Sequence, residues 1–580
     1  MIDRQRWKET VQNTLQDLYA KQGGQDELAP VVVQVPPKPE MGDLAFPLFP
    51  YAKAFRKAPN VISEELTQAI NAFADKPDGQ AIAAGPYMNV RVAMDSLVSD
   101  LSKNVLENGD NWGNTQSMKG RRIMVEFSCP NTNKPLHLGH VRNDCLGASV
   151  SRILKANGAQ VMKVNLINNR GVHICKSMLA YQKFGNGETP ESTGIKGDHF
   201  VGDWYVRFAR WEKEDPDADR QAQDLLVKWE DGDPQTISLW KLMNGWTISG
   251  MEETYRNMGI SFDRYYFESD TYKLGKDKVL DGLERGVFQR QEDGAVYIDN
   301  TDIGLDRKIL LRKDGTSIYI TQDIGTAISR HDDWPFDSLV YVVASEQQYH
   351  FKVLFHVLDK LGYPWAKNLH HLSYGMVFLP EGKMKSREGT VVDADDLMAS
   401  LSEMARGQIM EKGREEELED IDATAHDIAL GAINYYMLQF DPAKDITFNP
   451  RESLSFNGNT GPYLQYMGAR ICSMLRKYDG PAADSFDPAL LSAEDEREIL
   501  KLIGSYPEVV AKAGEKYDPS YICAFLYDLS KKFSKYYHDT RILNAETPAL
   551  VSARVALCRM VLQCLKNAFF LVGIPFLERM

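Results

Sequence analysis

The order strand, loop, helix, strand across residues 122–167 constrains this chain more than any other feature. RRIMVEF is a short, apolar, β-prone run, and the polar loop SCPNTNKPLHLGH follows it. VRNDCLGASVSRILKANG then carries apolar residues at helical spacing up to Gly158, and VMKVNLI reads as the next strand. Alternating strands and helices predict a parallel sheet with right-handed crossovers, whose ligands sit beyond the carboxyl ends of the strands. The rhythm returns as SLVYVVAS, FKVLFHVLDKLGY and HLSYGMVFLP, and ends in the polar loop EGKMKSREGT. Between these halves the text is rich in Trp, charge and Gly, which reads as an insertion splitting a nucleotide-binding α/β fold.

At 580 residues the chain has room for several units of roughly 150 residues each. We expect an N-terminal α/β domain over 1–118, which closes on the strand-like GPYMNVRV. The two halves of the α/β core are expected over 119–170 and 306–395, the insertion over 171–305, and an all-α bundle over 396–580. A composition 43% hydrophobic and 26% charged is that of a folded protein. No stretch approaches the roughly eighteen uninterrupted apolar residues of a membrane helix, and MIDRQRWKETVQ lacks the apolar core of a signal peptide, so a cytoplasmic protein with no membrane partner is expected. The seven scattered cysteines form no CxxC pair, and neither disulfides nor a structural metal is expected. A net charge of -14 argues against a uniformly basic coat for nucleic acid but leaves open selective docking on one face.

His137, Leu138, Gly139 and His140 fall just after the first core strand, at the entrance of a helix. A helix N-terminus offers amides and a positive dipole end to phosphate, two imidazoles can donate to a pentavalent phosphorus, and Gly139 permits close approach of adenosine. Metal binding is the weaker alternative, because no third ligand stands nearby. The run Lys383, Met384, Lys385, Ser386, Arg387 follows the last strand between Gly382 and Gly389. Basic groups there can follow phosphates as charge builds on a leaving pyrophosphate; the plain alternative is a solvated charged loop.

These residues resemble the class I aminoacyl-tRNA synthetases, HLGH being similar to their HIGH signature and KMKSR to their KMSKS loop. Within that class the chain resembles the arginyl-tRNA synthetases. VEFSCPNTNKPLHLGHVRN is similar to the segment around HIGH, LRKDGTSIYITQDIGTAISR to the arginine-site segment, and SFNGNTGPYLQYMGARICSML to the opening of the anticodon-binding domain. The resemblance implies a Rossmann-type catalytic core with an inserted domain, an N-terminal domain that touches the outer corner of the tRNA, and a helical anticodon-binding bundle. It implies ATP with Mg²⁺, L-arginine and tRNA(Arg) as partners, a monomer, and arginine activation that requires bound tRNA.

Residue by residue, the resemblance assigns His137, Gly139 and His140 to ATP, together with the backbone of Met376 and Val377 at the adenine edge. Ser386 stands where the pattern has its second lysine; Lys134 just before HLGH is implied as the substitute, acting with Lys383 or Lys385. Glu126, Asp323, Tyr319, Gln347, Cys129 and Asn131 are implied as the arginine pocket, a set that suits a planar, always charged guanidinium. Without the resemblance, Asp323 reads as a helix N-terminal charge and Tyr319 as a core aromatic. Tyr463, Tyr466, Tyr536 and Tyr537, with Tyr87 and Asn89, are candidates to contact tRNA, since unpaired bases stack on aromatics. Asn169 departs from an aspartate common in the family, with a structural or a tRNA contact as its two readings. The rival functions are a small-molecule adenylyltransferase with an HxGH signature and a synthetase-like RNA-binding protein without activity.

Overall fold

The computed structural model describes residues 4–380, 392–414, 416, 418–480 and 486–580. They divide into two compact units, one of 114–469, 509–524 and 568–580, the other of 1–113, 470–508 and 525–567.

In the larger unit, strands β1 (Arg122–Glu126), β2 (Gln160–Ile167), β3 (Arg264–Phe267), β4 (Ser338–Ala344) and β5 (Leu369–Tyr374) form one sheet in the order β5-β4-β1-β2-β3. Every neighbouring pair is parallel. The central strands β1 and β4 are buried along most of their length, and their near-continuous apolar runs are what strands covered on both faces require. Helix α1 (Leu138–Ala156) crosses from β1 to β2, α2 (Tyr319–Asp333) precedes β4, and α3 (Gln348–Lys360) joins β4 to β5. Met124, Val164, Ile324, Leu339, Val353 and Leu354 close the core between sheet and helices. From β1 the chain runs outward to β2 and β3, then returns to β4 on the other side. That reversal opens a crevice outside the carboxyl ends of β1 and β4, at Glu126 and Ala344.

The range 171–305, expected to be wholly an insertion, contributes β3 to this sheet. The small antiparallel sheet of Gln289–Arg290, Val296–Ile298 and Lys308–Leu311 also packs into the same core, through Val296, Ile298 and Leu311. β3 escaped the sequence reading because RYYF is a four-residue edge strand with a single buried side chain, too short to show a period. Helices between Val172 and Asn257 have separate cores, one of them around Ile174, Phe200 and Met243.

The C-terminal text is helical as expected: Ala394–Glu411, Ile421–Leu438, Gly461–Arg476, Glu494–Lys516, Ser520–Asp539 and Pro548–Val572. Pro548–Val572 is long and apolar enough to cross a bilayer by length and composition, but 72% of its most apolar window is buried inside the protein, as in a core helix.

In the smaller unit an antiparallel sheet of Leu44–Pro47, Tyr87–Val92 and Gly79–Ala84 packs with helices Arg4–Lys21 and Pro59–Ala72. Asp43, fully buried, accepts from Val92 N–H at 2.8 Å, pairs with the buried Arg497, and lies 2.8 Å from Lys501 Nζ. Burial pushes its carboxyl up, yet Lys501 and Arg497 outweigh this and hold it below the usual range. Asp43→Ala leaves a buried guanidinium without its counter-charge. We expect it to cost about 3–5 kcal/mol, read as a fall in the urea midpoint of the full chain; an unchanged midpoint rejects this role.

Candidate active site

His137 is the N-cap of α1. Its Nδ1 accepts from Gly139 N–H at 3.1 Å, and His140 Nδ1 accepts from His137 N–H at 3.1 Å. Since each Nδ1 is an acceptor, each neutral ring carries its proton on Nε2. Burial, then the charge of Lys134, pushes the His137 imidazole down to about 4; burial, His137 and Lys134 push His140 well below the usual imidazole range. The site therefore presents two neutral imidazoles, ring centroids 3.9 Å apart, each with one N–H donor, at the positive end of a helix. A Cβ on Gly139 would come within 3.0 Å of His137 Cε1, so a side chain there would displace the ring.

Leu138 N–H donates to Val392 O at 2.9 Å and Ala394 N–H to Leu136 O at 3.0 Å, so the HLGH segment is paired with residues 392–394. Lys383, Lys385 and Ser386 lie outside the described residues. Lys134 is half-buried, which lowers its ammonium, and its charge acts on both imidazoles.

The sequence reading missed Arg142, one turn into α1. Its buried guanidinium donates to Gly375 O at 2.5 Å, Met376 O at 3.3 Å, Pro442 O at 3.1 Å and Lys444 O at 2.7 Å. Five N–H groups in a rigid fork suit such a cluster of carbonyls. Here Val377–Phe378 pairs in parallel with Ile446–Thr447. Met376 N–H donates to Asp445 Oδ1 at 2.7 Å, and Met376 O accepts from Ile446 N–H as well as Arg142. The Met376 part of the adenine expectation is thereby corrected, because both its backbone groups are engaged. A parallel ladder that uses Met376 and Phe378 leaves the polar groups of Val377 on the opposite side.

Beyond the carboxyl ends of β1 and β2 lies a cleft of about 1220 Å³, with Asn131, Arg170, Glu268, Tyr319, Gln322 and Asp323 among its walls. Three residues of the expected arginine pocket are thus brought to one cleft. Tyr319, at the first position of α2, is 79% exposed, which corrects the plain reading of it as a core aromatic. Asp323 lies one turn further on, with its Oδ2 2.7 Å from His350 Nε2. Cys129 follows Ser128, and both sit at positive φ, 49° and 72°. Two successive non-glycine residues there hold backbone strain, sustained by Ser128 N–H to Asn143 Oδ1 at 2.6 Å and Cys129 N–H to Asn165 Oδ1 at 3.1 Å.

Glu126 departs from expectation. Its carboxylate is buried in an ion pair with the equally buried Arg330; burial raises its pKa despite that pair, and Asp323 adds to the rise. It is not an open acidic contact, because an unpaired carboxylate is too costly at that depth. Gln347 is exposed just past β4 and is not among the residues of the cleft wall. Glu268, which sequence reasoning missed, lines the cleft as a further carboxylate beside Asp323 and Glu230; burial raises it, and Asp323 adds to the rise while Arg170 opposes it. Its only local signal is an acid just past the short β3. Asn169 has a structural place: it accepts from Ser269 N–H at 3.0 Å and from Trp240 Nε1 at 2.6 Å.

Among the tRNA candidates, Tyr536 is 1% exposed and donates its hydroxyl to Glu496 at 3.0 Å. Asn89 is likewise 1% exposed and donates to Met41 O at 2.9 Å. Both are corrected to interior roles, since neither offers a surface for a base. Tyr87, Tyr463, Tyr466 and Tyr537 are half-buried, and the Arg470 guanidinium lies 4.2 Å from the Tyr537 ring centroid.

A parallel sheet with neutral HLGH imidazoles at its switch point and a carboxylate-lined cleft beyond the carboxyl ends of its strands has the build of a class I aminoacyl-tRNA synthetase catalytic domain, and the family model "tRNA synthetases class I (R), catalytic domain" matches residues 102–449. The models "Arginyl tRNA synthetase N terminal domain" and "DALR anticodon binding domain" match 5–92 and 464–580. Arginine–tRNA ligases of Treponema denticola and Bacteroides thetaiotaomicron are 54% and 46% identical, the first match covering 99% of both chains and the second 93% of this chain and 94% of the relative. The structure of Thermus thermophilus arginyl-tRNA synthetase superposes with a TM-score of 0.82 at 26% identity, covering 100% of each chain. The chain belongs to the arginyl-tRNA synthetase family.

Proposed function

We propose that the chain activates L-arginine with ATP and esterifies it onto tRNA(Arg). The observation that carries this reading is the match to all three domain models of the family, in order, together with a carboxylate-lined cleft beyond the carboxyl ends of the core strands. An arginine carboxylate oxygen attacks the α-phosphorus of ATP, the bond to the bridging oxygen breaks, and pyrophosphate leaves with the electron pair. The 3′-terminal ribose hydroxyl then attacks the adenylate carbonyl; AMP departs, and the hydroxyl proton passes to a phosphate oxygen or water. Neither step needs a protein nucleophile, so catalysis is orientation plus electrostatics.

His137 and His140 donate Nε2–H to the phosphate oxygens on which charge builds, Gly139 leaves room for adenosine, and Val377 supplies the adenine-facing backbone. Lys134 acts with Lys383 or Lys385, and Mg²⁺ arrives with ATP. Asp323 and Glu268 receive the guanidinium beside Tyr319; Asn131 and Cys129 flank the α-amino and carboxylate end, and Gln347 completes the pocket. Glu126 acts there through Arg330. Tyr87, Tyr463, Tyr466 and Tyr537 are the remaining tRNA contacts. The protein works as a monomer in the cytoplasm, and its seven free thiols accord with a reducing compartment.

Aminoacylation of total tRNA with each labelled amino acid, alongside ATP–pyrophosphate exchange with and without tRNA, tests the reading. The expected result is charging by arginine alone and exchange only when tRNA is present. Exchange with another amino acid overturns the pocket argument. Failure with every amino acid favours an RNA-binding protein without activity.

A further inference from the structure

A charged cluster the mechanism has not used lies behind HLGH. Lys196 caps helix Gly197–Glu214, whose first turn carries Asp198 and His199. Across from it, Asp393 caps helix Ala394–Glu411, and Asp395 stands in that helix's first turn. Lys196 Nζ lies 2.6 Å from Asp395 Oδ2, 3.2 Å from Asp198 Oδ2 and 2.6 Å from Thr254 Oγ1. His199 Nε2 lies 3.1 Å from Asp395 Oδ2 and 3.6 Å from Asp393 Oδ1. Asp198, His199 and Asp395 are close enough together to ligate a metal ion, but the Lys196 ammonium already bridges the two carboxylates there.

The cluster is coupled to the catalytic histidine through very little chain. Asp393 Oδ1 accepts from Asp395 N–H at 2.8 Å and Asp396 N–H at 3.2 Å, while its backbone is bridged to His137. The flanking bonds, Leu138 N–H to Val392 O and Ala394 N–H to Leu136 O, fasten the two segments together. Asp395 is therefore two residues from Asp393, whose backbone bridges to His137. Three carboxylates so close to one another repel, and among the described residues Lys196 and His199 are the side-chain cations that oppose that repulsion within the cluster.

We propose that Lys196 and His199 are positioning residues for amino-acid activation: by holding Asp395 they fix residues 392–394 against 136–138, and so fix the His137 ring. This rests on the synthetase reading above. The hydrogen bond to Asp395 raises the His199 imidazole to about 9 even though burial opposes it, and Asp393 and Asp198 add to the rise. Burial pushes Asp395 up, but His199 and Lys196 outweigh it and hold it at about 2. Glu253 and His426 face the same cleft of about 460 Å³. At neutral pH the cluster thus holds two cations among three carboxylates, and it loses one of them as pH rises through about 9.

The test uses the full chain with arginine, ATP and tRNA, comparing wild type with Lys196→Met, Lys196→Arg and His199→Gln by pyrophosphate exchange across the neutral to alkaline range. Displacing a group that orients the reaction costs on the order of 10²-fold. That loss is expected in kcat for Lys196→Met with the arginine KM unchanged, largely restored in Lys196→Arg, whose guanidinium keeps the charge. Wild type is expected to lose rate as pH passes about 9, and His199→Gln to lack that inflection. Wild-type kcat in Lys196→Met, or a His199→Gln pH profile that superposes on that of wild type, overturns the proposal. If Lys196→Met does not fold, the His199→Gln profile alone decides. A wild-type enzyme that activates no amino acid instead sinks the synthetase reading.

Discussion

Asp323→Ala loses kcat/KM for arginine by a factor on the order of 10³, while its KM for ATP stays at the wild-type value. Asp323 lies on the cleft wall one turn into α2, half-exposed in the free protein, with His350 as its neighbour. A guanidinium entering the cleft is always charged and gives up water to reach that carboxylate. Without Asp323 the cation is desolvated against fewer counter-charges, a loss of about 2–5 kcal/mol. ATP is not expected to depend on this carboxylate, because its proposed contacts are at HLGH and at the strand braced by Arg142. Pyrophosphate exchange with arginine varied at saturating ATP reads the effect; near-normal arginine kinetics overturns the assignment of the cleft.

His140→Asn is expected to lower kcat for activation by about 10²–10³-fold, with the arginine KM unchanged. The neutral ring supplies one Nε2–H at the mouth of α1, where removing a donor aimed at developing charge has its greatest effect. His140 also caps the helix by accepting from His137 N–H. Asparagine keeps a side-chain acceptor for that bond, so a loss of rate without a comparable loss of thermal stability separates chemistry from folding. An exchange rate within a few-fold of wild type would mean that the imidazole makes no contact in the transition state.

Both predictions rest on residues that the sequence marked, His140 through its place at a helix entrance and Asp323 through the family resemblance alone. HLGH stands where a strand period gives way to a helix period, and TSIYITQDIGTAISR places Tyr319 and Asp323 one turn apart at a helix start. Neighbours in sequence decide where such a helix starts, but not that Tyr319 and Asp323 face a substrate, which only the resemblance implied. The parallel sheet was legible for the same reason: IMVEF and SLVYVVA are continuous apolar runs, which strands buried on both faces demand.

What the sequence by itself determined is therefore the class of fold, the order of its elements and the end of the sheet at which HLGH stands, because these follow from periodicity and from a helix N-terminus behind a strand. Only the tertiary structure decided which polar groups are open and which are already taken. Glu126 is paired with Arg330, the backbone of Met376 is held by Arg142 and Asp445, Tyr536 is turned inward to Glu496, and Lys196 meets Asp395. Each pair joins segments that have no local relation. Burial makes an unpaired polar group costly, and the partner that satisfies it is set by how helices and strands pack, which no local pattern records.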